Sequence, residues 1–74
     1  MSKYLVARWP GEPRARVADP IFLREAQEQA SFWALVVAHS RAHALRLVRE
    51  GVEAVSGIDD RLERCGIVRK RGRL

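Results

Sequence analysis

The sequence predicts a small α+β domain of roughly β-α-β-α-β order with a basic C-terminal edge strand. Three observations predict it. Phe32, Trp33, Leu35, Val36 and Val37 form a short apolar run of aromatic and β-branched residues, the composition of a strand covered on both faces. Ser40 and Gly51 bracket the segment after that run as an N-cap and a C-terminal stop. Pro10-Gly11 cuts the N-terminal apolar stretch with a strong turn signal.

Taken in order, Tyr4 to Trp9 read as the first strand, and Pro13 extends the break that follows it. Residues 10–18 read as a loop carrying Arg14 and Arg16. Asp19-Pro20 has the form of a helix start, with a capping carboxylate and a proline in the first helical position. Phe22, Leu23, Ala26, Ala30 and Trp33 then recur at three- and four-residue spacing, while Arg24, Glu25, Gln27 and Glu28 face away. That pattern describes an amphipathic helix of about three turns. No Gly or Pro interrupts the chain between Ile21 and Glu50, so one helix through 20–50 competes with helix–strand–helix. A break near Ser31 is preferred, because Phe-Trp-Ala-Leu-Val-Val has poor helix propensity and no polar face. The second helix is expected to bury Ala42, Leu45 and Val48 and to expose His43, Arg46 and Glu50. Val52 to Val55 read as a short strand, Gly57 as a turn, and Asp59 as the cap of a helical turn through Arg61, Leu62 and Arg64. Ile67 to Lys70 read as a last strand whose cations discourage edge-to-edge pairing. Residues 1–74 thus form a single domain, with 69–74 as a basic, mobile tail.

The phrase Arg61-Leu62-Glu63-Arg64-Cys65-Gly66-Ile67-Val68-Arg69-Lys70-Arg71-Gly72-Arg73 resembles the passage from recognition helix to wing in winged-helix DNA-binding proteins. It shows Leu-Glu, a Gly that ends a helix, an apolar pair and a basic wing. The resemblance covers that segment alone and implies a winged-helix-like alternative fold. Such a fold has three helices ahead of the wing, where Phe32–Ala38 reads as a strand.

A chain of 74 residues buries a modest core, which leaves little room for an enclosed substrate pocket. Its net charge of +5 is uneven. Lys3, Arg8, Arg14 and Arg16 against Glu12 give residues 1–18 a net +3, residues 19–58 carry −1, and residues 59–74 carry +3. Basic ends of this kind favour polyanionic partners through counterion release, although they also serve solubility. The lone Cys65 permits no intramolecular disulfide and fits a reducing, cytoplasmic setting. The N-terminal apolar stretch is too short and too interrupted for a signal peptide, and no run is long enough to span a bilayer, so no membrane partner is expected. The initial Met and the absence of a tag suggest a complete small gene product.

Catalytic and cofactor signals are weak. The five glycines match no phosphate-cradling loop. His39 and His43 are four apart, but Ser40 as cap leaves His39 outside the helix, and a third ligand would have to come from Cys65, Asp59 or Asp60 without supporting spacing. They read as a solvent-facing pair beside Arg46, with no metal and no cofactor. Cys65 reads as a buried apolar filler, not a nucleophile, since nothing sets a base or an oxyanion site beside it. Asp59, Asp60 and Glu63 alternate with Arg61 and Arg64 as surface ion pairs.

The expected function is therefore that of a small, non-enzymatic binding protein for nucleic acid or a nucleoprotein complex. Its contact residues are Arg8, Trp9, Arg14, Arg16, Arg69, Lys70, Arg71 and Arg73, with Trp9 offering a face for an unpaired base. The alternative is a phage or mobile-element type protein inhibitor or adaptor, anti-CRISPR-like for example, that acts by protein–protein contact. Two Trp and an open sheet edge also make a homodimer an expectation.

Overall fold

The computed structural model describes residues 1–53 and 64–74. Strand β1 (Ser2–Arg8) is followed by β2 (Arg16–Ala18), a 3-10 turn (Pro20–Phe22), helix α1 (Leu23–Gln29), β3 (Phe32–Ala38), α2 (Arg41–Glu50) and β4 (Gly66–Gly72). The strands form one open sheet in the order β2-β1-β3-β4, with every neighbouring pair antiparallel. The α+β class and the broad alternation of strand and helix are as the sequence predicts.

The alternation of side chains along each strand assigns one helix to each face of the sheet. Val6, Val17, Phe32, Ala34, Val36, Ala38 and Ile67 pack with Ala44, Leu47 and Val48 of α2. Leu5, Ala7, Ala18 and Trp33 pack with Leu23 and Ala26 of α1 and with Ala30 just after it. Phe32–Ala38 is thus a central strand covered on both faces, which is why it lacks a polar face. It rules out a single helix over 20–50.

Local signals hold the elements in place. Pro10 and Gly11 occupy the centre of a type II turn, with Gly11 at φ +86° and Glu12 N–H donating to the Trp9 carbonyl at 3.1 Å. The Asp19 carboxylate accepts from Ile21 N–H at 2.9 Å, with Pro20 at the first position. Ser40 Oγ accepts from His43 N–H at 3.1 Å and starts α2. Gly51 ends it at φ +69°, its N–H donating to Val48 O while Val52 N–H donates to Leu47 O, a Schellman closure.

Several expectations are corrected. Residues 16–18 are a strand, not loop: Val17 supplies an apolar residue opposite Val6, and the long turn returns the chain to pair with β1. The first helix is shorter than its apolar spacing suggests, because Pro20–Phe22 winds as a 3-10 turn and Ala30 is already extended. Helix α2 buries Ala44, Leu47 and Val48, while Ala42 is exposed, Leu45 and His43 are half-buried. In a helix this short, the stripes Ala42–Leu45–Val48 and Ala44–Leu47–Val48 share Val48 and fit the sequence almost equally well.

Strand β4 runs from 66 to 72, so Arg69, Lys70 and Arg71 belong to it and only Arg73 and Leu74 follow. It pairs along β3 at the sheet edge, and with β3 in the middle of the molecule the winged-helix-like alternative does not hold. Of the expected 52–55 strand, Glu53 makes an isolated bridge with Ile67. Ala54, Val55, Gly57, the Asp59 cap and the turn at Arg61 and Leu62 lie outside the described residues. Among the described residues, no helix is long and apolar enough to cross a membrane.

Candidate functional site

Register places Arg8, Phe32 and Gly72 in one row across the sheet. The row is the end of the sheet from which the β1–β2 connection departs and at which β4 finishes. The Arg8 backbone is fixed there, because Ser31 N–H and Ser31 Oγ–H both donate to its carbonyl, at 2.9 and 2.8 Å. Its side chain shares the α2 face with Val6, by strand alternation.

On that face Arg8 lines a cleft of about 320 Å³ with Pro13, Arg14, Ala15, Leu45, Arg49 and Leu74. Arg14 and Ala15 come from the β1–β2 connection, Leu45 and Arg49 from successive turns of α2. Three arginines thus line one cleft, and the other lining residues, Pro13, Ala15, Leu45 and Leu74, carry apolar side chains. The ion pairs among the described residues are Arg16–Glu12, Arg24–Glu28 and Lys70–Glu53, and none involves these three. The Arg8 Nε is shielded from solvent and has no hydrogen-bond partner among the described residues. A buried donor without an acceptor is costly, and an anionic oxygen reaching it relieves that cost. Arg49 lies in the last turn of α2, where the negative end of the helix dipole holds a cation.

The other expected contact residues are dispersed. Trp9 and Arg16 lie in a second cleft of about 360 Å³, on the α1 side, with Glu12, Ala18, Phe22 and Glu25. The Arg16 guanidinium sits 4.7 Å from the centre of the Trp9 ring, and its Nε is 3.3 Å from Glu12 Oε2. One face of Trp9, expected to meet an unpaired base, is therefore covered from within the chain.

A bulge separates the cations of β4. Val36 pairs with Ile67 but Leu35 pairs with Arg69, so Val68 is the extra residue and the side-chain phase inverts after it. Arg69 and Arg71 consequently go to the α1 face. Arg69 lies 5.8 Å over the Trp33 ring, and Arg71 Nη2 donates to the Gln27 carbonyl at 2.9 Å. Lys70 goes to the α2 face and pairs with Glu53. Arg73 follows the strand at the Arg8 end and precedes Leu74 of the cleft.

The structure thus brings Arg8 and Arg14 together and adds Arg49, which the sequence reading missed. A signal for it existed: Leu45 and Arg49 are four apart, so a helix with Leu45 at its edge must carry Arg49 beside it. At the opposite end of the sheet His39, His43 and Cys65 come together. His39 is exposed, but His43 and Cys65 are half-buried, so the pair is not simply solvent-facing. Cys65 packs at the margin of the α2-side core, partly as the expected apolar filler.

No protein-family model matches this chain, and no curated protein or solved structure does.

Proposed function

We propose that this chain is a small, non-enzymatic binding protein that engages nucleic acid, alone or within a nucleoprotein assembly. It seats backbone phosphate in the cleft bordered by Arg8, Arg14 and Arg49. One observation carries the reading: the guanidinium-bearing residues Arg8, Arg14 and Arg49 line one cleft and none of them is ion-paired among the described residues, where Arg8 Nε also has no hydrogen-bond partner. Arg recognises phosphate oxygens in forked geometry, and phosphate contacts position a nucleic acid without reading its sequence. Arg73 extends the positive surface at the same end of the sheet. Arg69, Lys70 and Arg71 are committed to contacts within the chain, so they serve the long-range field more than direct docking.

The test is fluorescence anisotropy with labelled single-stranded and duplex oligonucleotides over a range of salt. Affinity is expected to fall linearly on logarithmic axes, and Arg14→Ala and Arg49→Ala are each expected to reduce the slope by about one. Absence of binding at low salt overturns the proposal.

A second reading, contact with a protein partner, draws on Ile21 and Phe22, which are 76% and 45% exposed beside the Trp9–Arg16 cleft. A partner retained from nuclease-treated lysate and lost in Ile21→Asp supports this reading. A partner lost on nuclease treatment supports the first.

A further inference from the structure

The end of the sheet opposite the Arg8 cleft gathers a different chemistry. His39 directly follows β3, His43 lies in the first turn of α2, and Cys65 directly precedes β4. One ring nitrogen from each histidine and the Cys65 Sγ all lie within 4.8 Å of one another. The two imidazoles stack with centroids 5.3 Å apart and planes 8° from parallel. A second sulfur, Met1 Sδ, lies 3.2 Å from Cys65 Sγ, because Met1 precedes Ser2 and Ser2 pairs with Ala38. The cluster is independent of the basic cleft, since a strand of seven residues separates the two by roughly 20 Å.

We propose that His39, His43 and Cys65 form a three-ligand site for a thiophilic d10 cation, zinc or cuprous copper. Two imidazoles and a thiolate are donors both ions favour, and three protein ligands leave one position open. The thioether of Met1, 3.2 Å from Cys65 Sγ, is a candidate for that position and suits copper better than zinc. In a tetrahedral zinc site the donor atoms stand about 3.5 Å apart, so the ligands close by about 1 Å on binding. The exposed His39 side chain is free to make that movement.

One contact is exchanged in the process. His39 N–H donates to His43 Nδ1 at 3.1 Å. Coordination through Nδ1 replaces that donor, and coordination through Nε2 leaves the ring proton on Nδ1, so either mode ends the bond. His39 is exposed, and its N–H then passes to water. The Cys65 thiol loses its proton to solvent as the metal–sulfur bond forms, with no change of oxidation state, so affinity weakens as pH falls.

The structural consequence is a tie between the start of α2 and the chain entering β4, two segments joined in sequence through residues 51–64. Metal that binds the folded chain preferentially raises its melting temperature with metal concentration.

The test is titration of the reduced protein with zinc, and anaerobically with cuprous ion, each in competition with a chromophoric chelator. One equivalent is expected. Affinity is expected to drop at least about ten-fold in Cys65→Ser and in His43→Ala, with far-UV circular dichroism verifying that each variant is folded. Cobalt added in place of zinc is expected to give a thiolate-to-metal charge-transfer band that Cys65→Ser abolishes. On the unaltered chain, saturating zinc is expected to slow alkylation of Cys65, its one thiol, and this readout does not depend on any variant folding. Cobalt without a charge-transfer band, or alkylation unchanged by either ion, overturns the site. X-ray absorption of the cuprous form that shows two sulfur ligands assigns the open position to the Met1 thioether, and one sulfur ligand assigns it to water. Oligonucleotide binding unchanged by metal is expected in either case.

Discussion

Arg8 carries two separate duties. Its carbonyl is the acceptor that ties Ser31 to the end of β1, and its side chain, whose shielded Nε has no partner among the described residues, belongs to a residue that lines the cleft. Gly72, in the same row, is constrained as strongly. At φ +89°, a Cβ there would collide with the Ser31 carbonyl oxygen and stand 3.2 Å from Phe32 Cα. Gly51 also has positive φ, yet a Cβ there meets nothing within 4 Å. Left-handed backbone alone costs a non-glycine residue about 1–2 kcal/mol. Urea unfolding is therefore expected to show Gly51→Ala destabilised by about that amount and Gly72→Ala by clearly more, because a backbone collision adds to the strain. Equal losses at the two sites contradict the geometry at Gly72. Such a difference is invisible in the sequence, where both glycines simply follow a regular element.

At the scale of elements, legibility divides by the range of the forces involved. The Asp19-Pro20 start, the Ser40 cap and the Gly51 stop are local hydrogen-bond chemistry, and each was readable from a few adjacent residues. β3 was readable because burial on both faces removes its polar residues. What escaped depends on partners distant in sequence. β2 is a strand only because β1 offers it an edge, and the α2 stripe is chosen by the sheet beneath it. The Val68 bulge, which sends Arg69 and Arg71 one way and Lys70 the other, follows from pairing with β3. The α2 stripe can be checked by unfolding. Leu47→Ala is expected to cost about 2–5 kcal/mol as a core truncation, and Ala42→Ser to stay within about 0.5 kcal/mol as a surface change. Comparable losses at both positions contradict the observed orientation. The Lys70–Glu53 pair is about half exposed on both sides, so a double-mutant cycle is expected to return no more than about 1 kcal/mol, diminishing with salt.

Across the whole molecule, the four-stranded sheet separates two chemistries. One end presents guanidiniums from β1, the β1–β2 connection and α2; the other presents two imidazoles and a thiol. The sequence reading placed the positive surface at the two chain termini, and the structure distributes these cations differently. Arg8 and Arg14 meet in the cleft, but the β4 cations spread over both faces, and the third cleft arginine comes from the middle of the chain, where charge is balanced overall. Net charge along a sequence says nothing about which cations share a surface. Edge pairing through β4 in the antiparallel register centred on Lys70 brings Arg69, Lys70 and Arg71 against the same residues of a second copy, which is unfavourable for like charges directly opposite.

The most direct test is a residue-resolved map of oligonucleotide binding, by amide and arginine side-chain chemical-shift changes at low salt. The account predicts changes centred on Arg8, Arg14, Arg49 and Leu74, with the signals of His39, His43 and Cys65 unmoved. Changes centred on Ile21 and Phe22, or scattered evenly over every surface cation, would contradict it.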